Sequence, residues 1–555
     1  MKARTAATLI LPALAALAVA ALTLYAYREL PARPFAADDY QWLLNVRGLS
    51  FGDVARKAFD AGAQSHFYRP LVWLLFWAQA RAFGLDPRGF HAISLALHLL
   101  NAGLVGWLAY RLTKDEGRRT KEERTTSSSS VFRLSPALAA AAIVALHPAP
   151  FEAVVWVSSQ SELLAAALLL AALHLWLCRQ TTKDEGRPFD AAQGRRTKEE
   201  SDANRWSLVV GRSSVLATLA LGLALLAKES AVIGLPLLVL LGRADDRRPT
   251  TNDQRPTTDR QHAIPITHHA SRITFHVSRF TPYVLPMLLT LAYVALQVAI
   301  ERRNYLLAQG GYGVGPQLVL NPLRSLALII APLPGTEHAD AAWLVPLGAL
   351  VALGLLGFWI LDFGFWMRAR REQSKILSPQ SKIMLALGLT LLPAAPFISP
   401  PDSRYLYLPV MAAALLVGFT ILDFGFWIAI RQTKIQNPIP KMGCFVLVAG
   451  FFALVLAWAA SGELHAREGR FAAASGPGGS LWRVAKAVCA EGRPDRMVIV
   501  DPPLAPPHAE AIVGLACGDA TRAKIVGRDQ VAKAIKGHTV VIAFPNGSAE
   551  IEQRT

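Results

Sequence analysis

Long apolar blocks alternate with short polar, often basic stretches along this chain. A bilayer span needs about twenty largely apolar residues. Blocks of that character fall near residues 7–26, 90–112, 134–147, 152–178, 207–227, 230–242, 282–300, 340–366, 383–399, 406–430 and 443–461. The pattern predicts an all-α multipass membrane protein with eleven transmembrane helices. A further stretch, VLNPLRSLALIIAPL at 319–333, reads as a re-entrant or surface-lying helix. The first block exceeds the roughly 7–15 apolar residues of a signal-peptide core, so it is expected to stay as the first helix.

Beyond residue 461 the pattern changes. RMVIVD (496–501) and HTVVIAF (538–544) read as strands around a helical stretch near 508–516, separated by Pro-rich turns. Residues 1–461 are therefore expected to form the membrane domain and 462–555 a small α/β module.

Composition agrees with a membrane protein. Of the 555 residues 53% are hydrophobic and only 17% charged, against about 25% charged in soluble domains. The net charge of +17 invites a nucleic-acid partner, but the distribution of the basic residues argues against one. Lys and Arg gather at the N-terminus and in 113–133, 180–206, 243–280, 367–382 and 431–442. Eleven spans put all of these on one side, which the positive-inside bias makes the cytoplasm. The opposite side then receives the first loop 27–89, the tips near 147–152, 228–230 and 400–406, the loop 301–339 and the C-terminal module. The expected location is the cell (plasma) membrane, with a cytoplasmic N-terminus and an extracytoplasmic C-terminus.

The basic loops share peptides. TKDEGR occurs at 113–118 and 182–187, RRTKEE at 118–123 and 195–200, and ILDFGFW at 360–366 and 421–427. Unequal spacing marks them as low-complexity expansions in tolerant segments, not as a duplicated domain. Cys489 and Cys517 in the module are able to pair in an oxidising compartment. Cys178 and Cys444 lie in or beside apolar segments, where a buried thiol is the plain reading.

The polar residues at span ends carry the candidate chemistry. Asp38 and Asp39 lie in the first loop, followed by Tyr68, Arg69 and Pro70 before an aromatic, membrane-hugging helix. His147 ends the third span and Glu152 opens the fourth, ahead of Trp156, Ser158, Gln160 and Glu162. Lys228 and Glu229 sit between two apolar runs, and Arg404, Tyr405 and Tyr407 enter the tenth span. Ionisable groups at such depths face a cavity or each other rather than lipid. Carboxylates there suit a general base, and Lys228 and Arg404 suit a phosphate.

Each group also has a plainer reading. Asp38 and Asp39 are solvated loop charges, Lys228–Glu229 a mutual ion pair, and His147-Pro148 a helix stop. His91, His98 and His174 are interhelical packing residues. The aromatic residues form an interfacial belt, and no metal-ligand spacing appears among these groups.

Taken in order, DD, YRPL (68–71), HLLN (98–101), HPxxxExVxWxSxQxExL (147–163), LLAKES (225–230) and RYLYLP (404–409) resemble the polytopic GT-C glycosyltransferases. The likeness is to the membrane domain of the tetratricopeptide-repeat protein O-mannosyltransferases and their bacterial relatives, over roughly residues 7–430. It implies inverting transfer of a sugar from a polyprenyl-phosphate carrier to a protein or glycan acceptor on the extracytoplasmic face. It also implies a first-loop carboxylate, Asp39 or Asp38, as catalytic base and Glu152 as the HPxxxE carboxylate. Tyr68, Arg69, His147, Lys228, Glu229, Arg404 and Tyr405 then line the substrate pocket. Members of this fold differ in using a divalent cation, so a metal stays open. Those relatives place their tetratricopeptide repeats after the membrane domain, where this chain has about ninety residues of another kind, so acceptor recognition is expected to differ.

A transporter or lipid-linked flippase predicts inverted repeats around a midplane site, and no such symmetry is visible. A non-catalytic scaffold presenting the module leaves Asp38, Glu152, Lys228 and Arg404 without a purpose.

Overall fold

The computed structural model describes residues 2–62, 67–117, 129–185, 212–242, 267–301, 311–333, 341–369, 378–432, 439–518 and 521–555. Much of the basic expansions near 113–133, 180–206 and 243–280 lies outside them.

The chain is mostly helical. Helix α1 (Lys2–Ala26) leads into a first loop that folds as α2 (Asp38–Val46), α3 (Phe51–Phe59) and α4 (Pro70–Phe83). Then come α5 (Pro87–Gly117), α6 (Ser129–Leu146), the one-turn α7 (Phe151–Val155) and α8 (Gln160–Glu185). Next are α9 (Arg212–Ala227), α10 (Gly234–Leu241), α11 (Thr267–Glu301), α12 (Gln317–Ile330) and α13 (Leu344–Ala369). Helices α14 (Pro379–Leu391), α15 (Tyr407–Gln432) and the long α16 (Ile439–Glu491) complete the helical part.

Among the described residues six helices have the length and apolar character to cross a bilayer, and four apolar helices are shorter. The outward face of α13 carries Leu350, Leu353 and Leu361, each 64–73% exposed. Such a surface needs lipid against it. Inside the bundle α5 packs on α6 and α8, α8 on α9, and α6 on both α1 and α15. Close approach to α6 depends on missing side chains: a Cβ on Gly106 would lie 2.8 Å from the Ala137 carbonyl oxygen, and one on Gly418 2.9 Å from that of Pro136. Small residues at helix contacts let membrane helices gain van der Waals packing, which lipid tails cannot supply in its place. The chain is a multipass membrane protein.

The structure corrects several boundaries. The span expected at 152–178 is broken: α7 ends at Val155, Trp156 is extended, and the long helix begins at Gln160. The block at 383–399 is helical only to Leu391 before a 3-10 turn at Leu392–Ala394, where Pro393 and Pro396 forbid continuation. The stretch at 319–333 is helical only to Ile330, in a helix that starts at Gln317 and has Pro322 inside it. The border expected at residues 461–462 falls within α16, which continues unbroken to Glu491.

The C-terminal module follows directly from α16. Strand β1 (Arg496–Val500) leads through α17 (Pro506–Cys517) to β2 (Arg522–Val526). The short α18 (Val531–Ala534), β3 (Thr539–Ala543) and β4 (Glu550–Arg554) follow. Both expected strands and the helix are present; β2 and β4 are additional. The sheet order is β2-β1-β3-β4, with β4 antiparallel to β3 and the other pairs parallel. A disulfide joins Cys489 on α16 to Cys517 at the end of α17.

Candidate active site

The site lies where α1, α6 and α9 end and where α8 and α15 begin. Its first part is the start of α2. Ala37 takes a left-handed backbone, φ 44°, unusual for a residue with a Cβ. The kink brings the Ala36 N–H to Asp39, donating to Oδ2 at 2.9 Å. Ser158, in the turn between α7 and α8, donates to Asp39 Oδ1 from its backbone N–H at 2.7 Å and from its hydroxyl at 2.5 Å. Asp39 is 1% exposed. Burial pushes its carboxyl up to about 7, against the downward pull of the bonds from Ala36 and Ser158.

Asp38 points elsewhere. Successive helical residues diverge by about 100° around the axis, and the Asp38 carboxylate meets His508 Nε2 of α17 at 2.9 Å.

Trp156 joins the first loop to the next cluster. Its indole N–H donates to the Ala36 carbonyl at 3.3 Å, and the Arg404 guanidinium lies 4.5 Å from the centre of its ring. Arg404 also approaches the Tyr405 ring at 5.2 Å and pairs with the half-exposed Asp402 at 2.8 Å. Glu152 is buried beside them, accepting from the Arg404 backbone N–H and carrying its own N–H toward the Ser403 hydroxyl, both at 3.4 Å. Burial raises its carboxyl, with Asp402 adding and Arg404 opposing.

Deeper in, the cations and carboxylates pair crosswise. Lys228 binds Glu162 rather than its neighbour Glu229, and both members of that pair are 3% exposed. Glu229 takes a two-pronged bond from Arg69, Nε at 2.8 Å and Nη2 at 2.6 Å. The Lys228 ammonium also stands 5.0 Å over the Tyr405 ring. Asp39, Glu152, Arg69, Lys228, Glu229, Arg404 and Tyr405 thus form one connected group. They come from five regions of the chain.

Two expected pocket residues are held differently. The Tyr68 hydroxyl donates to the Phe59 carbonyl at 3.3 Å, while its backbone N–H donates to Gln297. His147 donates from Nε2 to the Ile329 carbonyl at 2.8 Å and accepts the Ala149 N–H on Nδ1.

The second-span polar residues form interhelical contacts. His98 bonds the Tyr407 hydroxyl and the Ala145 carbonyl, and Asn101 donates to Tyr407 and to the Leu163 carbonyl. Among the described residues no group of three His, Cys, Asp or Glu side chains is arranged to hold a metal ion.

Trp156, Ser158 and Glu162 are as central as the residues singled out from the sequence. All stand in the 147–163 motif, so their signal was present. His508 had none, lying 470 positions from its partner.

No family model and no curated protein matches this chain. Among solved structures it is similar to ArnT from Cupriavidus metallidurans in the apo state, at 13% identity and TM-score 0.46, covering 98% of this chain and 94% of that one. The same protein bound to undecaprenyl phosphate is similar at 12% identity and TM-score 0.44, covering 97% of this chain and 93% of that one. Neither likeness is strong enough to assign a family or an activity.

Proposed function

We propose that the chain is an integral membrane glycosyltransferase of the GT-C type. It moves a sugar from a polyprenyl-phosphate carrier to an acceptor hydroxyl, with inversion, on the extracytoplasmic face. The observation that carries this reading is the continuous run from Asp39 through Ser158 and Trp156 to Arg404, Glu152, Tyr405 and Lys228. A buried carboxylate with a raised pKa stands at one end, and cations over aromatic rings stand at the other. The positive-inside bias of the basic loops supports the orientation.

In the reaction Asp39 takes the proton of the acceptor hydroxyl, whose oxygen attacks the anomeric carbon. The bond from that carbon to the phosphate oxygen breaks, and polyprenyl phosphate leaves with the electron pair. The acceptor hydroxyl replaces the Ser158 hydroxyl on Asp39 Oδ1, leaving the backbone bond from Ser158 to hold the carboxylate in place. A base with a pKa near 7 balances availability against proton affinity at neutral pH.

The leaving phosphate meets Arg404 first. Its present partner, Asp402, is 43% exposed, and an exposed ion pair is worth little. A phosphate therefore displaces Asp402 cheaply and gains a planar, two-pronged donor. Lys228 and Arg69 stand behind it, each with a carboxylate partner of its own, Glu162 and Glu229, so Arg404 supplies most of the positive charge that the phosphate meets. Glu152 orients the Arg404 backbone, while Tyr68 and His147 shape the walls.

The decisive experiment measures transfer from a panel of radiolabelled polyprenyl-phosphate sugars in membranes containing the protein. Wild type transferring at least one sugar, with Asp39→Asn inactive, is the expected result. Equal transfer by wild type and Asp39→Asn sinks the assignment of the base.

A further inference from the structure

Helix α2, which presents Asp39, lies alongside α17 of the C-terminal module, and the two are tied at both ends. At the leading end Asp38 meets His508 at 2.9 Å. Just past the trailing end Arg47 Nη1 donates to the carbonyl oxygens of Gly514 and Leu515, at 2.7 and 3.0 Å. Arg47 thereby caps the last turn of α17, adding a second donor to the Gly514 carbonyl, which also accepts the Gly518 N–H, and serving the Leu515 carbonyl beside it.

Between the ties the helices touch closely. A Cβ on Gly514 would sit 3.4 Å from both methyl carbons of Leu44. Tyr40, 1% exposed, faces Trp482 of α16 at 6.2 Å between ring centres. Helix α17 is itself anchored by the Cys489–Cys517 disulfide to α16.

The opposite side of α2 faces Ser158 through Asp39. With only nine residues, α2 is too short to hold its own conformation in water. Its attitude, and with it the direction of the Asp39 carboxylate, is therefore set by what it packs against.

We infer that the C-terminal module is the positioning element of the site. His508 and Arg47 are its positioning residues, acting through α2 on Asp39. The inference rests on the reading of Asp39 as the base. It gives the adjacent carboxylates separate duties: Asp38 fixes the helix and Asp39 works from it.

Two measurements on the full-length protein in lipid nanodiscs test this. One is hydrogen exchange of the backbone amides of residues 39–46, which needs no assumption about the reaction. The other is sugar transfer, resolved into kcat and KM for the donor. His508→Ala and Arg47→Ala are each expected to raise exchange on the order of tenfold, as loss of one charge-assisted bond implies. They are also expected to lower kcat by a similar factor at unchanged KM. His508→Gln and Arg47→Lys, which keep a donor within reach, are expected to restore both.

Unchanged exchange in the alanine variants overturns the inference. Raised exchange with unchanged kcat overturns it too, because α2 would then move without consequence for Asp39. A wild type that transfers no sugar, while the alanine variants still raise exchange, overturns the glycosyltransferase reading instead.

Discussion

Ser158 gives both its backbone N–H and its hydroxyl to a single oxygen of Asp39, at 2.7 and 2.5 Å. The two residues are 119 positions apart. The contact ties the first loop to the break between α7 and α8, and it fixes the carboxylate that the proposed reaction uses.

Exchanging the two aspartates separately should give unequal results. Asp39→Asn removes the proposed base and is expected to lower kcat about 10²–10⁴-fold, the usual contribution of a positioned general base. Asp38→Asn keeps a polar group opposite His508 and is expected to cost less than about tenfold. Steady-state transfer with a saturating polyprenyl-phosphate sugar distinguishes them. Similar losses in both variants contradict the division of duties.

The raised pKa of Asp39 has two consequences for pH. The proposed reaction requires the ionised form, so kcat/KM should climb with pH to a midpoint at about 7. Stability runs the other way. The folded pKa lies above the ordinary aspartate value of 3.8, so the folded state binds more protons than the unfolded one between those values. The contribution is fully present below the lower value and is lost as pH rises through the upper one. Asp39→Asn should remove that loss, so its stability relative to wild type increases from acid to neutral pH. Thermal unfolding in detergent at pH 4.5, 6 and 7.5 reads the trend, and a constant difference counts against the shift.

The buried pair Lys228–Glu162 should behave as a unit. Breaking one member strands a charge at 3% exposure, which costs about 3–5 kcal/mol. Lys228→Met alone is expected to unfold at markedly lower temperature. Adding Glu162→Gln should recover much of that stability while leaving transfer impaired. Additive losses in the double variant would argue that the pair is not coupled.

The sequence carried the helical architecture well because apolar blocks of span length have few alternatives. It carried the site partly. Glu152, Trp156, Ser158 and Glu162 stand within eleven residues of one another, so a motif could hold them together. Asp38 and Asp39 were indistinguishable by spacing; only the rotation between successive helical residues separates them.

The crosswise pairing of Lys228 with Glu162 and Arg69 with Glu229 was hidden for another reason. Lys228 and Glu229 are neighbours in the chain, but Lys228 is extended and a 3-10 turn begins at Glu229, so the side chains diverge. Of the helices inside the first loop the aromatic α4 was expected, whereas α2 and α3 were hidden by their mixed composition; α2 packs on α4 through Trp42 and on α17, far along the chain. Nothing near Asp38 announces His508.

Arg404 provides the sharpest test of the leaving-group site. Its guanidinium stacks on Trp156 and pairs with an exposed carboxylate, so it is the cation freest to change partners. Arg404→Lys keeps the charge but loses the planar fork and much of the stacking. It is expected to lower kcat/KM about tenfold to a hundredfold, while Asp402→Asn should leave it within about threefold, as an exposed pair implies. Trp156→Phe retains a ring under Arg404 but loses the indole bond to the Ala36 carbonyl, so its effect should fall between the two. Competition by free polyprenyl phosphate supplies the direct measurement: weaker inhibition of Arg404→Lys than of wild type is expected. Equal inhibition would move the phosphate away from Arg404 and toward Lys228 and Arg69.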